Sequence, residues 1–299
     1  MKTELEQLLE VRQSDYQRHL GHLGGPRACA CDIKASARFH FVISDASGQP
    51  RVRELARMLV NYITMYCFDA LKRKDLSELD RNALFTEARD LFRKDGNSGQ
   101  VGEILIYFLL EAVLRAPQAL HKMPLTTNPK EERKGSDGIH IRWADADETL
   151  EIFFAESKIW GNFVDALRDA LKSVNDFHAG GTSHHELKLF SGHFKVLDPK
   201  LQERVISYID GDNQYKTRIH HACLVGFDWE EYKCLDDSRR DQFVKEFEKR
   251  YEAWAQSALG KVQAKLSAFP HKHLRFEFFF IPFKDVKSFR DYFEEALRG

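Results

Sequence analysis

Asp137, Glu156 and Lys158 are the residues whose types and spacing invite chemistry. The stretch "EIFFAESKIW" (151–160) reads as a strand that is apolar on both faces. Strand side chains alternate with period two, so Ile152, Phe154, Glu156 and Lys158 share one face while Phe153, Ala155 and Ile159 cover the other. A carboxylate and an ammonium in such surroundings are costly unless they are paired or put to use. The strand upstream, "GIHIRWA", is joined to it by "ADADE". A two-residue loop at Ala146 and Asp147, closed by Asp145 and Glu148, sets the register of the hairpin. Trp143 then faces Leu150, Ile141 faces Ile152 and Ile139 faces Phe154, with Arg142 opposite Glu151 as a cross-strand charge pair. The next pair on the apolar face is Asp137 opposite Glu156. A third acid, Glu103, lies in the first turn of a helix that is apolar nearly all round, among Ile106, Tyr107 and Leu110, and a carboxylate there gains from the helix N-terminus. Carboxylate oxygens are hard ligands suited to Mg²⁺ or Mn²⁺. Such an ion polarises a phosphoryl oxygen and acidifies a bound water. A neighbouring lysine positions or deprotonates that water, or stabilises the charge of the transition state. The set suits phosphodiester hydrolysis. The spacing alone carries nothing, since Asp32/Lys34, Glu132/Lys134, Glu186/Lys188, Asp198/Lys200, Glu231/Lys233 and Asp285/Lys287 share it. The apolar context singles out Glu156 and Lys158.

The elements that must position these groups alternate between helix and strand. Residues 1–20 suggest an amphipathic helix stopped by Gly21, Gly24, Gly25 and Pro26, and 28–44 reads as extended. Leu55, Leu59, Tyr62, Ile63 and Tyr66 recur at helical spacing within 51–74, and a second helix covers 77–93. Ser98 is the expected N-cap of the apolar helix, which Pro117 stops. A short strand is expected near "KMPLTT", then the hairpin, a helix over 162–178 and a Gly- and His-rich loop, "HAGGTSHHE". A strand over 218–229, a long charged helix over 237–266, a buried strand over 274–283 and a short helix complete the chain. This alternation predicts an α/β layer with a covered sheet.

Composition excludes more than it selects. Hydrophobic residues make up 43% of 299, enough for a sizeable core, and the formal charge of -1 argues against coating nucleic acid by bulk charge. Five cysteines, Cys29, Cys31, Cys67, Cys223 and Cys234, include no CxxC pair and predict reduced thiols. With no signal-peptide pattern and no apolar run long enough to span a bilayer, we expect a soluble cytoplasmic protein without a membrane partner. His178, His184, His185, His220, His221, His271 and His273 match no closed zinc spacing and read as surface or strand histidines. His140 should point away from Asp137 and pack.

The pattern of Glu103 on a leading helix, "SDG" with Asp137 before a strand, and "ESK" with Glu156 and Lys158 on the hairpin partner resembles the PD-(D/E)xK nuclease superfamily. The likeness spans about 96–230, and Ser136 stands where the superfamily has proline. The whole layout, "GEILIYFLLE", "GSDGIHIR", "FFAESKIW" and a late "FFFIPF", is similar to that of HamA proteins, the nuclease subunits of the Hachiman anti-phage system. The resemblance implies a restriction-endonuclease-like core of mixed central sheet and flanking helices over 96–299, with an N-terminal α/β extension over 1–95. It implies a DNase with Glu103, Asp137 and Glu156 on Mg²⁺ or Mn²⁺, Lys158 catalytic, and control by a superfamily-2 helicase, HamB. Lys122, Lys130, Arg133 and Lys134, before Asp137, could contact phosphates. Arg168 and Lys172 either approach DNA or pair with Asp165 and Asp169. Two other readings remain open: a non-catalytic DNA-binding or regulatory module with a nuclease-like fold, and a structural protein in which Glu156 and Lys158 form a plain ion pair.

Overall fold

In the computed structural model the hairpin lies towards one side of a mixed sheet whose centre is four parallel strands. The described residues are 2–92, 99–120, 136–179, 203, 207, 216–235 and 240–299. The Ser98 cap, the strand near "KMPLTT", His184, His185 and the basic residues Lys122, Lys130, Arg133 and Lys134 lie outside them. In chain order the strands are β1 (Leu20–His22), β2 (Arg27–Ala28), β3 (Lys34–Val42), β4 (Gln118–Leu120), β5 (Gly138–Ala144), β6 (Thr149–Trp160), β7 (Thr217–Asp228) and β8 (Arg275–Phe283). Their order is β1-β3-β8-β7-β6-β5-β4, with β2 paired to β3. The β3–β8, β8–β7 and β7–β6 pairs are parallel, and the outer pairs antiparallel. The helices are α1 (Lys2–Glu6), α2 (Gln13–His19), α3 (Val52–Val60), α4 (Ile63–Cys67), α5 (Glu78–Leu91), α6 (Gln100–Leu114), α7 (Phe163–Ala179), α8 (Arg240–Ser267) and α9 (Val286–Arg298).

Parallel strands are covered on both faces, which is why β6, β7 and β8 read as near-continuous apolar runs. One face, with Phe153, Ala155, Leu224, Phe279 and Ile281, packs against α3, α6 and α9. The other, with Phe39, Val225, Phe278 and Phe280, packs against α7 and α8. The charged helix α8 holds its place through one stripe: Phe243, Phe247, Tyr251, Ala255, Ala258, Val262 and Leu266 are buried at spacings of three and four. α9 starts at Asp285, whose carboxylate caps the Lys287 and Ser288 amides at 3.1 and 3.0 Å.

Two expected helices are each split. The 1–20 segment breaks between α1 and α2 because the Glu10 and Val11 amides turn aside to donate to Glu111 Oε2 on α6, at 2.7 and 2.9 Å. Glu111 is 1% exposed, so these bonds fasten the N-terminal segment to the core. The 51–74 segment breaks after Val60, where the Asn61 and Tyr62 amides switch to tighter bonds with Met58 and Leu59. Tyr62 then donates its hydroxyl to Asp15 at 2.6 Å.

His40, on β3, is 1% exposed among Tyr16, His22 and Phe279. Burial, with His22 and Arg38 adding to it, depresses its pKa to about 3. The folded state therefore binds fewer protons than the unfolded chain between that value and the ordinary 6.5. The contribution of this residue to stability is full above pH 6.5 and is lost as pH falls towards 3, by on the order of 5 kcal/mol. Urea titrations should show a drop in midpoint between pH 7 and pH 4 that is smaller in His40→Phe. Equal slopes in the two proteins would absolve His40.

Candidate active site

The hairpin register is the one the turn and the apolar pattern dictate. Ile139 faces Phe154, Ile141 faces Ile152, Arg142 faces Glu151 and Trp143 faces Leu150. The Asp137 amide donates to the Ala155 carbonyl at 2.8 Å, which continues the ladder by one residue and sets Asp137 beside Glu156. The Ser157 amide and hydroxyl both donate to Asp137 Oδ2, at 2.7 and 2.6 Å. Two bonds to one oxygen fix the carboxylate against the end of β6.

Glu156 and Lys158 are paired, Nζ to Oε1, at 2.6 Å, with the acid side chain 10% and the lysine 25% exposed. Burial and the charge of Asp137 push the Glu156 carboxyl up to about 7, against the pull of Lys158 and of a bond from Ser173 on α7. Burial lowers the Lys158 pKa, but Glu156, Asp137 and Asp169 outweigh it and the ammonium ends up held above its usual range. The centre thus has more negative charge than one lysine balances. That is the donor chemistry of a hard divalent cation, which two adjacent carboxylates fit.

Glu103 is brought near by another route. α6 covers the opposite face of β6 from α7. Tyr66 on α4 donates its hydroxyl to Glu103 Oε2 at 2.9 Å and lies 3.4 Å from the Asp137 carbonyl oxygen. The tyrosine links the helix acid to the hairpin. Among the described residues no three His, Cys, Asp or Glu side chains converge as placed on a point that could hold a metal ion. Asp137, Glu156 and Lys158 form the assembled group, and the Tyr66 hydroxyl joins Glu103 to it.

Gly102 lets α6 come this close: a Cβ built there would lie 2.8 Å from Ser157 Oγ and 3.1 Å from its Cβ. His140 packs as expected, 1% exposed, with Nδ1 2.8 Å from the Ala116 carbonyl and its ring against Tyr107. Arg168 pairs with Asp165 and Asp169, at 2.5 and 3.0 Å. Sequence reasoning passed over Tyr66, Ser157, Asp169 and Ser173. Ser157 carried a signal, being the middle residue of "ESK" on a buried strand. Tyr66 carried only the general one that a buried phenol needs a partner.

Among the described residues no helix is long and apolar enough to cross a membrane. A protein-family model, HamA, matches residues 30–297 of the chain. No curated protein matches it.

Proposed function

The chain belongs to the HamA family, and so is a protein associated with Hachiman defence; from that premise we propose that it is a metal-dependent nuclease that hydrolyses phosphodiester bonds in DNA. The observation that carries the reading is Asp137 set beside Glu156, with Lys158 2.6 Å from Glu156. A mixed sheet flanked by helices supports a PD-(D/E)xK core over 96–299, with 1–95 as an extension. Asp137 and Glu156 would hold Mg²⁺ or Mn²⁺, with Glu103 a ligand directly or through water. When bound, the ion polarises the phosphoryl oxygen and acidifies a water. Ser157 holds Asp137 in place, and Ser173 does the same for Glu156. Lys158, held protonated by its neighbours, sets a fixed positive charge where negative charge grows in the transition state. A helicase partner, HamB, would restrain and release the nuclease.

The test is cleavage of plasmid and linear DNA in Mg²⁺, Mn²⁺ or excess EDTA, with and without the helicase. Cleavage should need the divalent ion. Turnover undiminished in EDTA would sink the metal reading. DNA binding without cleavage under every condition would instead leave a regulatory module. A further expected result concerns Gly102→Ala. The added methyl must displace Ser157, and with it Asp137, so cleavage should fall by about 10- to 100-fold. The gain in helix propensity, near 1 kcal/mol, should offset part of the packing strain in thermal unfolding. Wild-type cleavage by this variant would mean that the Ser157–Asp137 contact does not set the site.

A further inference from the structure

β6 runs on past Lys158 to an exposed tryptophan. Side chains alternate along the strand and its pairing with β7 continues to Trp160 opposite Phe227, so Glu156, Lys158 and Trp160 share one face. Trp160 lies one further two-residue step, about 6.6 Å, beyond Lys158. β5 begins at Gly138, opposite Ala155, so among the described residues the stretch from Lys158 to Trp160 has a strand partner on the β7 side alone. The indole is 41% exposed, and Val164, in the first turn of the helix that follows, is 39% exposed. Trp229 and Trp254 are instead walled in by other rings, Tyr251 among them. What lies over Trp160 is a cation: the Arg290 guanidinium carbon, 5.5 Å from the ring centroid. Arg290, on α9, is fixed there by a bond to the Ile159 carbonyl. Among the described residues it makes no ion pair, and its Nε is buried with no hydrogen-bond partner.

We propose that Trp160 and Arg290 form a stacking platform for an unpaired base of the strand being cut, so that the acidic centre takes single-stranded or frayed DNA. The proposal rests on the nuclease reading and adds to it the form of the substrate. A duplex spends both faces of each base on its own stack and shows a protein only base edges and backbone, so a surface indole gains little from it. An unpaired base offers a whole face, and stacking on it is tolerant of sequence because every base has one. The pair matches a nucleotide in both its parts: a flat ring for the base, and an arginine without a counter-ion for the phosphate. That charge has work to do here. Glu156 and Asp137 already repel one another, and a phosphate chain brought up to them needs a cation beside its path.

The probe is a short oligonucleotide carrying a fluorescent purine analogue whose emission falls on stacking, used as a single strand or annealed to its complement. It is mixed with the full chain bearing Asp137→Asn, so that the DNA stays whole. The single strand should bind more tightly than the duplex, and its emission should be quenched. Adding Trp160→Ala should weaken single-strand binding by about 5- to 150-fold and remove the quench, with duplex binding unmoved. Trp160→Phe should keep most of both, and both variants should melt with their parent because the ring is so exposed. Single-strand affinity and quench unchanged in Trp160→Ala, a loss as deep in Trp160→Phe, or a parent with no preference for the single strand overturns the proposal. So does a Trp160→Ala protein that loses the helicase and binds the single strand as before, since the ring then docks a protein. Failure of the nuclease reading looks different: a wild-type protein that cuts nothing, with the quench and its need for Trp160 intact.

Discussion

Lys158→Met should leave a folded protein that binds DNA and metal and scarcely cuts. The lysine is either the counter-ion of Glu156 or a group that acts on the transition state, and the two roles separate in measurement. As a counter-ion its loss would leave a buried carboxylate uncompensated, at about 3–5 kcal/mol of stability. The environment of Glu156 blunts that cost. Burial and Asp137 already raise its carboxyl to about 7 with the lysine in place. Without Lys158 the value climbs further, and at neutral pH the acid takes a proton in place of a partner. The sign follows: the variant should match wild-type stability best below pH 7 and fall behind as pH rises. As a transition-state group the lysine is worth on the order of 10²-fold or more in kcat, with little change in KM. Single-turnover cleavage and thermal unfolding of the same preparation decide between the roles. A variant that melts early at pH 6, or one that is folded and cuts at near the wild-type rate, would show the catalytic assignment to be wrong.

The two sides of the molecule differ in how much of them the sequence discloses. The β5–β6 hairpin is local: a four-residue connection and two faces of alternating apolar residues leave one register that buries Ile139, Ile141, Ile152 and Phe154 together. Asp137 and Glu156 follow from it with no further information. The tie from Glu103 to that pair is not local. It runs through Tyr66, which helical spacing shows only as another apolar-face residue. The N-terminal strands are another such case. Alternation marks 34–42 as extended, but nothing in it says that β3 will lie parallel to β8, with Lys34 beside Arg275. Register between distant segments is set by packing on both sheet faces, which a one-dimensional pattern does not contain.

Asp137→Asn should abolish cleavage while the fold stays within about 1 kcal/mol of wild type. In the proposed nuclease Asp137 has two duties, and the amide retains one of them. Its Oδ2 accepts the Ser157 amide and hydroxyl, and an asparagine oxygen in that position accepts both as well. The charge is lost. With it goes the repulsion that helps push Glu156 up, so the remaining carboxyl should titrate closer to its ordinary range. A hard divalent cation would then meet one carboxylate in place of two, and affinity for Mg²⁺ should drop with the rate. Loss of a group that organises transition-state charge costs at least about 10²–10³-fold. Asp137→Ala is the harsher change and the less clean test. It leaves the Ser157 amide, at the end of a buried strand, with no acceptor, at about 1–3 kcal/mol. Activity lost in both variants, with stability lost in the alanine alone, is the expected pattern. An asparagine variant that cuts within tenfold of wild type would remove Asp137 from the chemistry and leave it only the work of holding Ser157.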